Sequence, residues 1–224
     1  MWRRCACARV FLGGGEGWVV LVTFEGIEGA GKSTLVAGVA ERLRSGGERV
    51  LVTKEPGGTE FGDAVRGVFL DPAFSVDPVA EVMLINASRA QLVADVIAPA
   101  LKAGTVVLCD RFYDSTIAYQ GFGRGLDGEE LLQICLAATH RISPDLTILV
   151  DIPVELSASR IRTRGGVDRL EREDAAFHTR VRDGYLALAA RFHQRYVTLD
   201  GTQDSALLVR EAAAIVEARR AERL

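Results

Sequence analysis

The sequence predicts a doubly wound α/β domain built on a five-stranded parallel sheet. Its apolar runs are continuous rather than alternating, as in strands covered on both faces. They are interleaved with segments of helical periodicity. The first run leads straight into Gly26-Ile-Glu-Gly-Ala-Gly31-Lys32-Ser33, a glycine-rich turn placed between a strand and a helix. A chain of 224 residues that is 48% hydrophobic has enough apolar material for one well-buried core.

Taken in order, WVVLVTFEG (18–26) reads as a buried strand, and Lys32 to Arg44 as the helix after it. ERVLVTKEP (48–56) is the second strand, followed by a helix from Thr59 to Leu70. The long apolar stretch 78–104 is helical and is expected to bend or restart near Pro99, where a backbone donor is missing. TVVLCDR (105–111) and LTILVDIP (146–153) are two further strands, separated by a helix from Asp127 to Thr139. Residues 155–164 and 173–192 read as helices, RYVTLDG (195–201) as the last strand, and Ser205 to Arg220 as a closing amphipathic helix. Between two of these helices, RTRGGVDRLERED (162–174) is polar and dense in arginine, which marks it as a loop or lid.

Twenty-seven basic residues against 30 acidic ones, a formal charge of −3, argue against generalised nucleic-acid binding. No apolar run approaches the roughly 18 residues of a membrane span. Cys5, Cys7, Cys109 and Cys135 lack zinc-ligand spacing, and a reduced, cytoplasmic setting is expected. Residues 1–17 carry arginines, a short apolar patch and a Gly13-Gly14-Gly15 run, without a signal-peptide core. They are expected to be a disordered extension or an upstream-extended start, with a single folded domain over 18–224.

The glycine-rich turn matches G-x-x-x-x-G-K-[ST]. In such a loop the amides of Gly26, Ile27, Glu28, Gly29, Ala30, Gly31, Lys32, Ser33 and Thr34 can converge on phosphate oxygens at a helix N-terminus. Lys32 would supply a point charge to the terminal phosphates of ATP, and the Ser33 hydroxyl would bind Mg²⁺. Asp110-Arg111 ends an apolar strand, so both side chains emerge at the edge of a parallel sheet where ligands bind. A guanidinium there suits phosphate, and a carboxylate suits the Mg²⁺ hydration shell. The three histidines, His140, His178 and His193, show neither metal spacing nor a nucleophile partner, and read as ordinary helix or loop residues.

FEGIEGAGKSTL, TKEPGGTEFGDAVRGVFLD, SRAQL, DRFYDSTIAYQGFGRG, PDLTILVD and RTRGGVDRLE occur in an order that resembles the bacterial thymidylate kinases, over Val20 to the C-terminus. The resemblance implies a P-loop nucleoside monophosphate kinase fold with a small arginine-rich lid at about 160–173. It also implies phosphoryl transfer from MgATP to dTMP, in dTTP synthesis, by a homodimer. Carried over residue by residue, Arg111 contacts the acceptor phosphate, Asp110 lies near the metal, Arg89 engages the base, and Glu28 lies near the deoxyribose hydroxyl. Thr116 and Tyr119, with Gln120, approach base and sugar, while Lys54 and Arg66 line the monophosphate site. Lys54 stands where the family usually has arginine, and Ile85 where it has a phenylalanine stacked on the base, so this chain lacks one planar fork and one aromatic face. The LDGTQD stretch ending at Asp204 lies where related kinases pass backbone by the purine.

The resemblance also implies a catalytic arginine either beside the phosphate-loop acid or in the lid; here Gly29 follows Glu28, so by that resemblance the lid would bring it. Arg164 is the first candidate, then Arg162, with Arg169 as an adjunct and Gly165-Gly166 as a hinge. Arg160 and Arg164 share a helix face by their i,i+4 spacing, and Arg162 points elsewhere. Two other readings remain open at this point: a kinase for another nucleoside monophosphate, and a nucleotide-dependent switch or ATPase without transfer. The dimer face is equally open, since core burial explains the apolar helix Val79 to Leu101 as well as an interface does.

Overall fold

Five short apolar segments form the sheet: β1 (Leu21–Glu25), β2 (Val50–Lys54), β3 (Val106–Asp110), β4 (Leu146–Asp151) and β5 (Tyr196–Asp200). The structure, a computed structural model, describes residues 20–165 and 168–221. The expected extension 1–17, the strand start at 18–19 and the hinge residue Gly166 lie outside the described residues. All strand pairings are parallel, in the order β2-β3-β1-β4-β5. β1, β3 and most of β4 are buried, which explains their unbroken apolar sequences.

Each strand is followed by helix: α1 (Lys32–Ser45), α2 (Glu60–Leu70), α3 (Pro78–Leu92), α4 (Ala98–Lys102), α5 (Tyr113–Thr116), α6 (Gly128–Ala138), α7 (Val154–Arg164), α8 (Ala175–Arg191) and α9 (Ser205–Ala221). Boundaries follow their capping residues. Thr59 accepts from the amide of Gly62, Asp127 from Glu129 and Glu130, and Asp174 from Phe177. The disturbance expected at Pro99 falls just upstream, as a π-helical turn at Val93–Ile97 between α3 and α4. The wider turn absorbs the missing donor, so the axis continues rather than restarting. A second π-helical segment, Ile117–Gly123, extends α5. Its glycines masked helical character in the sequence.

Because β1 has β3 on one side and β4 on the other, the chain crosses in opposite directions from the centre. The resulting crevice lies beyond the strand C-termini, where Glu25, Lys54, Asp110 and Asp151 end their strands.

Candidate functional site

The 26–34 turn joins β1 to α1 beneath the crevice. Gly26 has φ 140°, and a Cβ there would stand 2.4 Å from the carbonyl oxygen of Val150, so only glycine fits. Gly31, the residue before α1, is left-handed at φ 92°. Lys32 is buried and folds back over the loop, its Nζ donating to the carbonyls of Gly26 (2.9 Å) and Ile27 (2.8 Å). Burial, with the nearby Arg111 charge, pulls the Lys32 ammonium down to about 8. At the mouth of the loop the Ser33 hydroxyl donates to Asp110 Oδ2 at 2.5 Å.

A cavity of about 640 Å³ opens from this loop along the sheet edge, within the size range of ligand clefts. Gly29, Gly31, Lys32, Ser33 and Thr34 line one end, and Lys54, Arg66, Ile85, Arg89, Thr116, Tyr119 and Gln120 the other. Glu28, Asp110 and Arg111 lie among them. Gly26, Ile27 and Ala30 form the loop below rather than the cavity wall.

Arg111 is held from several sides. Its backbone is left-handed at φ 68°. Its Nη1 donates to Ser115 Oγ (3.1 Å) and Tyr185 OH (2.9 Å), and its Nη2 to Glu28 Oε1 and Tyr119 OH (3.1 Å each). The guanidinium also lies 5.0 Å from the centre of the Tyr119 ring. Burial alone would raise the Glu28 carboxyl, but the Arg111 and Lys32 charges outweigh it and hold the group below its ordinary value. Glu28 Oε2 and His178 Nδ1 face each other at 3.6 Å, both buried and, among the described residues, without a hydrogen-bond partner.

Arg89 is 1% exposed, so it does not reach for solvent along an apolar helix. Its Nε donates to Glu55 Oε2 at 2.8 Å, Nη1 to Asn86 Oδ1 at 2.9 Å, and Nη2 to Thr116 Oγ1 at 3.0 Å. Glu55 neutralises a charge that burial would otherwise disfavour. Burial raises the Glu55 carboxyl in turn, against the Arg89 charge. Ile85 presents an aliphatic face beside Arg89, and Gln120 Nε2 is anchored on Glu81 Oε2 at 2.9 Å. Arg66 donates to the carbonyl of Pro56 at 3.0 Å.

The arginines of the lid separate by contact. Arg160 and Arg164 line the cavity, as their shared helix face requires. Arg160 bridges the phosphate loop to the segment after β5, donating to the carbonyls of Gly29 (3.0 Å) and Gly201 (3.3 Å). Arg164 pairs with Glu171 across the lid and remains 57% exposed. Arg162 is exposed and lies away from the cavity. Arg169 also lies outside the lining: its Nε donates to the carbonyl of Phe69 (2.9 Å) and its Nη1 to Glu81 Oε1 (2.5 Å). Leu170 tucks its side chain beside it into the cavity wall.

Several residues of the site lack a sequence signal of their own. Glu55, Glu81 and Tyr185 are buried partners of the arginines, Glu25 is a buried partner of Tyr185 and Ser115, and nothing in local spacing distinguishes them from solvated or core residues. Glu25 was readable only as an acid ending an apolar strand. Burial and the neighbouring Asp114 charge push it up to about 7.

A family model described as thymidylate kinase matches residues 24–212. Among curated proteins, the thymidylate kinase of Geobacter sp. (strain M21) is 50% identical over 201 residues, covering 85% of this chain and 89% of that relative. The thymidylate kinase of Deinococcus radiodurans is 48% identical over 200 residues, covering 89% and 97%. The crystal structure of thymidylate kinase from Ehrlichia chaffeensis superposes with a TM-score of 0.72 at 31% identity, covering 88% of this chain and 98% of that one.

Proposed function

Because this chain belongs to the thymidylate kinase family and phosphorylates dTMP to dTDP, we propose that ATP lies on the 26–34 loop and dTMP against Arg89 and Arg111. The observation that carries this reading is one continuous cavity joining the phosphate loop to both arginines. Two nucleotides placed end to end in it would meet beside Arg111 and Lys32. A phosphate oxygen of dTMP forms the new bond to the γ-phosphorus of ATP as the bond to the β–γ bridging oxygen breaks, releasing ADP. The acceptor oxygen is already anionic, so alignment and charge neutralisation are the protein's task.

The contacts support the roles that the family resemblance implies. Lys32 exchanges the two loop carbonyls for phosphate oxygens. Arg111 holds the acceptor phosphate, with Lys54 and Arg66 on the same wall. Arg89, fixed by Glu55, Asn86 and Thr116, presents a rigid polar edge to the base, and Ile85 covers its face. Glu28, Tyr119 and Gln120 border the sugar. Ser33 and Asp110 offer a hydroxyl and a carboxylate 2.5 Å apart at the loop mouth, a hard-oxygen pair that fits Mg²⁺ together with phosphate and water ligands. When bound there, Mg²⁺ would neutralise phosphate charge. The test is ADP formation with dTMP, dUMP, dCMP and dGMP in turn: dTMP should be strongly preferred, and equal turnover of all four would overturn the assignment of Arg89 to the base.

The depressed Lys32 value has a measurable consequence. In the empty protein a growing fraction of Lys32 is neutral as pH rises through about 8. A triphosphate beside it favours the charged form, so ATP binding takes up a proton. Uptake by Lys32 should grow as pH rises through about 8. Calorimetry in buffers of different ionisation heat reads this directly; no uptake at high pH would remove Lys32 from the phosphates.

We further propose a homodimer in the cytoplasm, where the free, buried thiols of Cys109 and Cys135 would stay reduced. Among the described residues no helix is long and apolar enough to cross a membrane. The 78–102 region divides: Leu92, Val93 and Ile97 are in the core, whereas Val79 and Met83 are exposed one turn apart. Phe61, Val68 and Phe74 are also about half exposed on and after the neighbouring α2. This apolar face suits a second copy of the chain. Met83→Glu should shift the sedimenting species from dimer to monomer, and a wild type already monomeric at micromolar concentration would refute the proposal.

A further inference from the structure

We infer that Glu25 is a positioning residue for Arg111, holding both its backbone and its guanidinium ready for the acceptor phosphate. The inference rests on the assignment of Arg111 to that phosphate. Glu25 ends β1 directly before the phosphate loop and is fully buried in a strand whose other residues are uncharged. A carboxylate there persists only where several donors converge on it.

The donors are informative. Glu25 Oε1 accepts from the amide of Phe112 at 2.8 Å, the peptide immediately after the left-handed Arg111. That backbone conformation is unfavourable for a residue with a Cβ and needs such tethers. The Arg111 amide is tied separately to the carbonyl of Phe24, next to Glu25, at 2.9 Å. Glu25 Oε2 accepts from Ser115 Oγ at 2.6 Å and Tyr185 OH at 3.1 Å. Those two hydroxyls are the ones that accept from Arg111 Nη1, at 3.1 and 2.9 Å. One carboxylate therefore orients the turn that projects Arg111 and, through two hydroxyls, one edge of its guanidinium. The other edge, Nη2, meets Glu28 and Tyr119. Glu25 does not line the cavity, so it acts through Arg111 rather than on substrate.

A double-mutant cycle separates this role from a general contribution to folding. Glu25→Gln should lower kcat/KM for dTMP at least about 10-fold while leaving the KM for ATP within about twofold. In an Arg111→Ala background the same substitution should change kcat/KM for dTMP by less than about twofold, because the group it acts through is gone. Tyr185→Phe keeps the ring and removes one of the two bridging hydroxyls. It should reproduce the pattern at about threefold and serves if Glu25→Gln does not fold. Equal losses in both backgrounds, or parallel losses for ATP and dTMP, would make Glu25 merely structural and overturn the inference. If Arg111→Ala impairs dTMP use but neither Glu25→Gln nor Tyr185→Phe does, the inference fails alone. If Arg111→Ala leaves dTMP use intact, the assignment beneath it fails as well.

Discussion

Replacing Arg164 by alanine is expected to lower kcat about 1,000-fold while the KM for ATP stays within about threefold. Charge must be neutralised on the phosphoryl group in transit, and the phosphate loop, with Gly29 after Glu28, carries no arginine to do it. The contacts of the lid select among its arginines. Arg160 is occupied by the carbonyls of Gly29 and Gly201, where it braces the loop. Arg169 is occupied by Glu81 and the carbonyl of Phe69, where it ties the segment after α7 to α2 and α3. Arg162 lies away from the cavity. Arg164 lines the cavity, ends α7 just before Gly165, and is the exposed member of a pair whose carboxylate, Glu171, is buried. The guanidinium is the exposed side of that pair, and on turning to a phosphate it leaves Glu171 with the Asp168 amide on Oε2 at 3.2 Å. Single-turnover measurement of ADP release with saturating dTMP reads the effect. A kcat unchanged in Arg164→Ala, or a loss equally large in Arg162→Ala, would transfer the role elsewhere.

Arg111→Ala should be as severe on the acceptor side, lowering kcat/KM for dTMP by about 1,000-fold or more with a smaller change in ATP binding. The guanidinium sits between the phosphate loop and the base end of the cavity and already uses four hydroxyl or carboxylate partners to keep its plane fixed. Arg111→Lys should recover little. A single ammonium cannot span Ser115 and Tyr185 on one edge and Glu28 and Tyr119 on the other while facing a phosphate. Titration of dTMP into the two variants, followed by steady-state kinetics, is the check. A lysine variant within about threefold of wild type would show that only charge matters at this position.

The ligand-facing residues were largely legible because they lie in short, ordered motifs. Gly26 to Thr34 follow from the close approach of backbone to phosphate, and Asp110-Arg111 from their place at the end of an apolar strand. The separation of Arg160 and Arg164 from Arg162 was readable from helical spacing. The residues behind them were not. Glu55 meets Arg89 across 34 positions, Glu25 meets Tyr185 across 160, and Glu81 meets Arg169 across 88. A buried acid that serves one arginine looks locally like any other acid. The helical continuation at Ile117–Gly123 was hidden for a related reason: Gly121 and Gly123 oppose helix by propensity, while packing at Gly123 leaves no room for anything larger. A Cβ on Gly123 would meet the Phe177 ring at 2.6 Å.

The amino-acid sequence by itself determined the parallel α/β architecture and the chemical inventory at the sheet edge. Both are written in local order: unbroken apolar runs, glycines where backbone must approach phosphate, charged residues where strands end. Tertiary structure alone decided which charge answers which, leaving Arg169 tied to Glu81, Arg89 to Glu55, and Arg164 on the cavity wall with its guanidinium exposed. Those choices depend on distances between segments far apart in the chain and on which of them exclude water. Electrostatic pairing is set by separation and burial, and neither exists until the chain has folded.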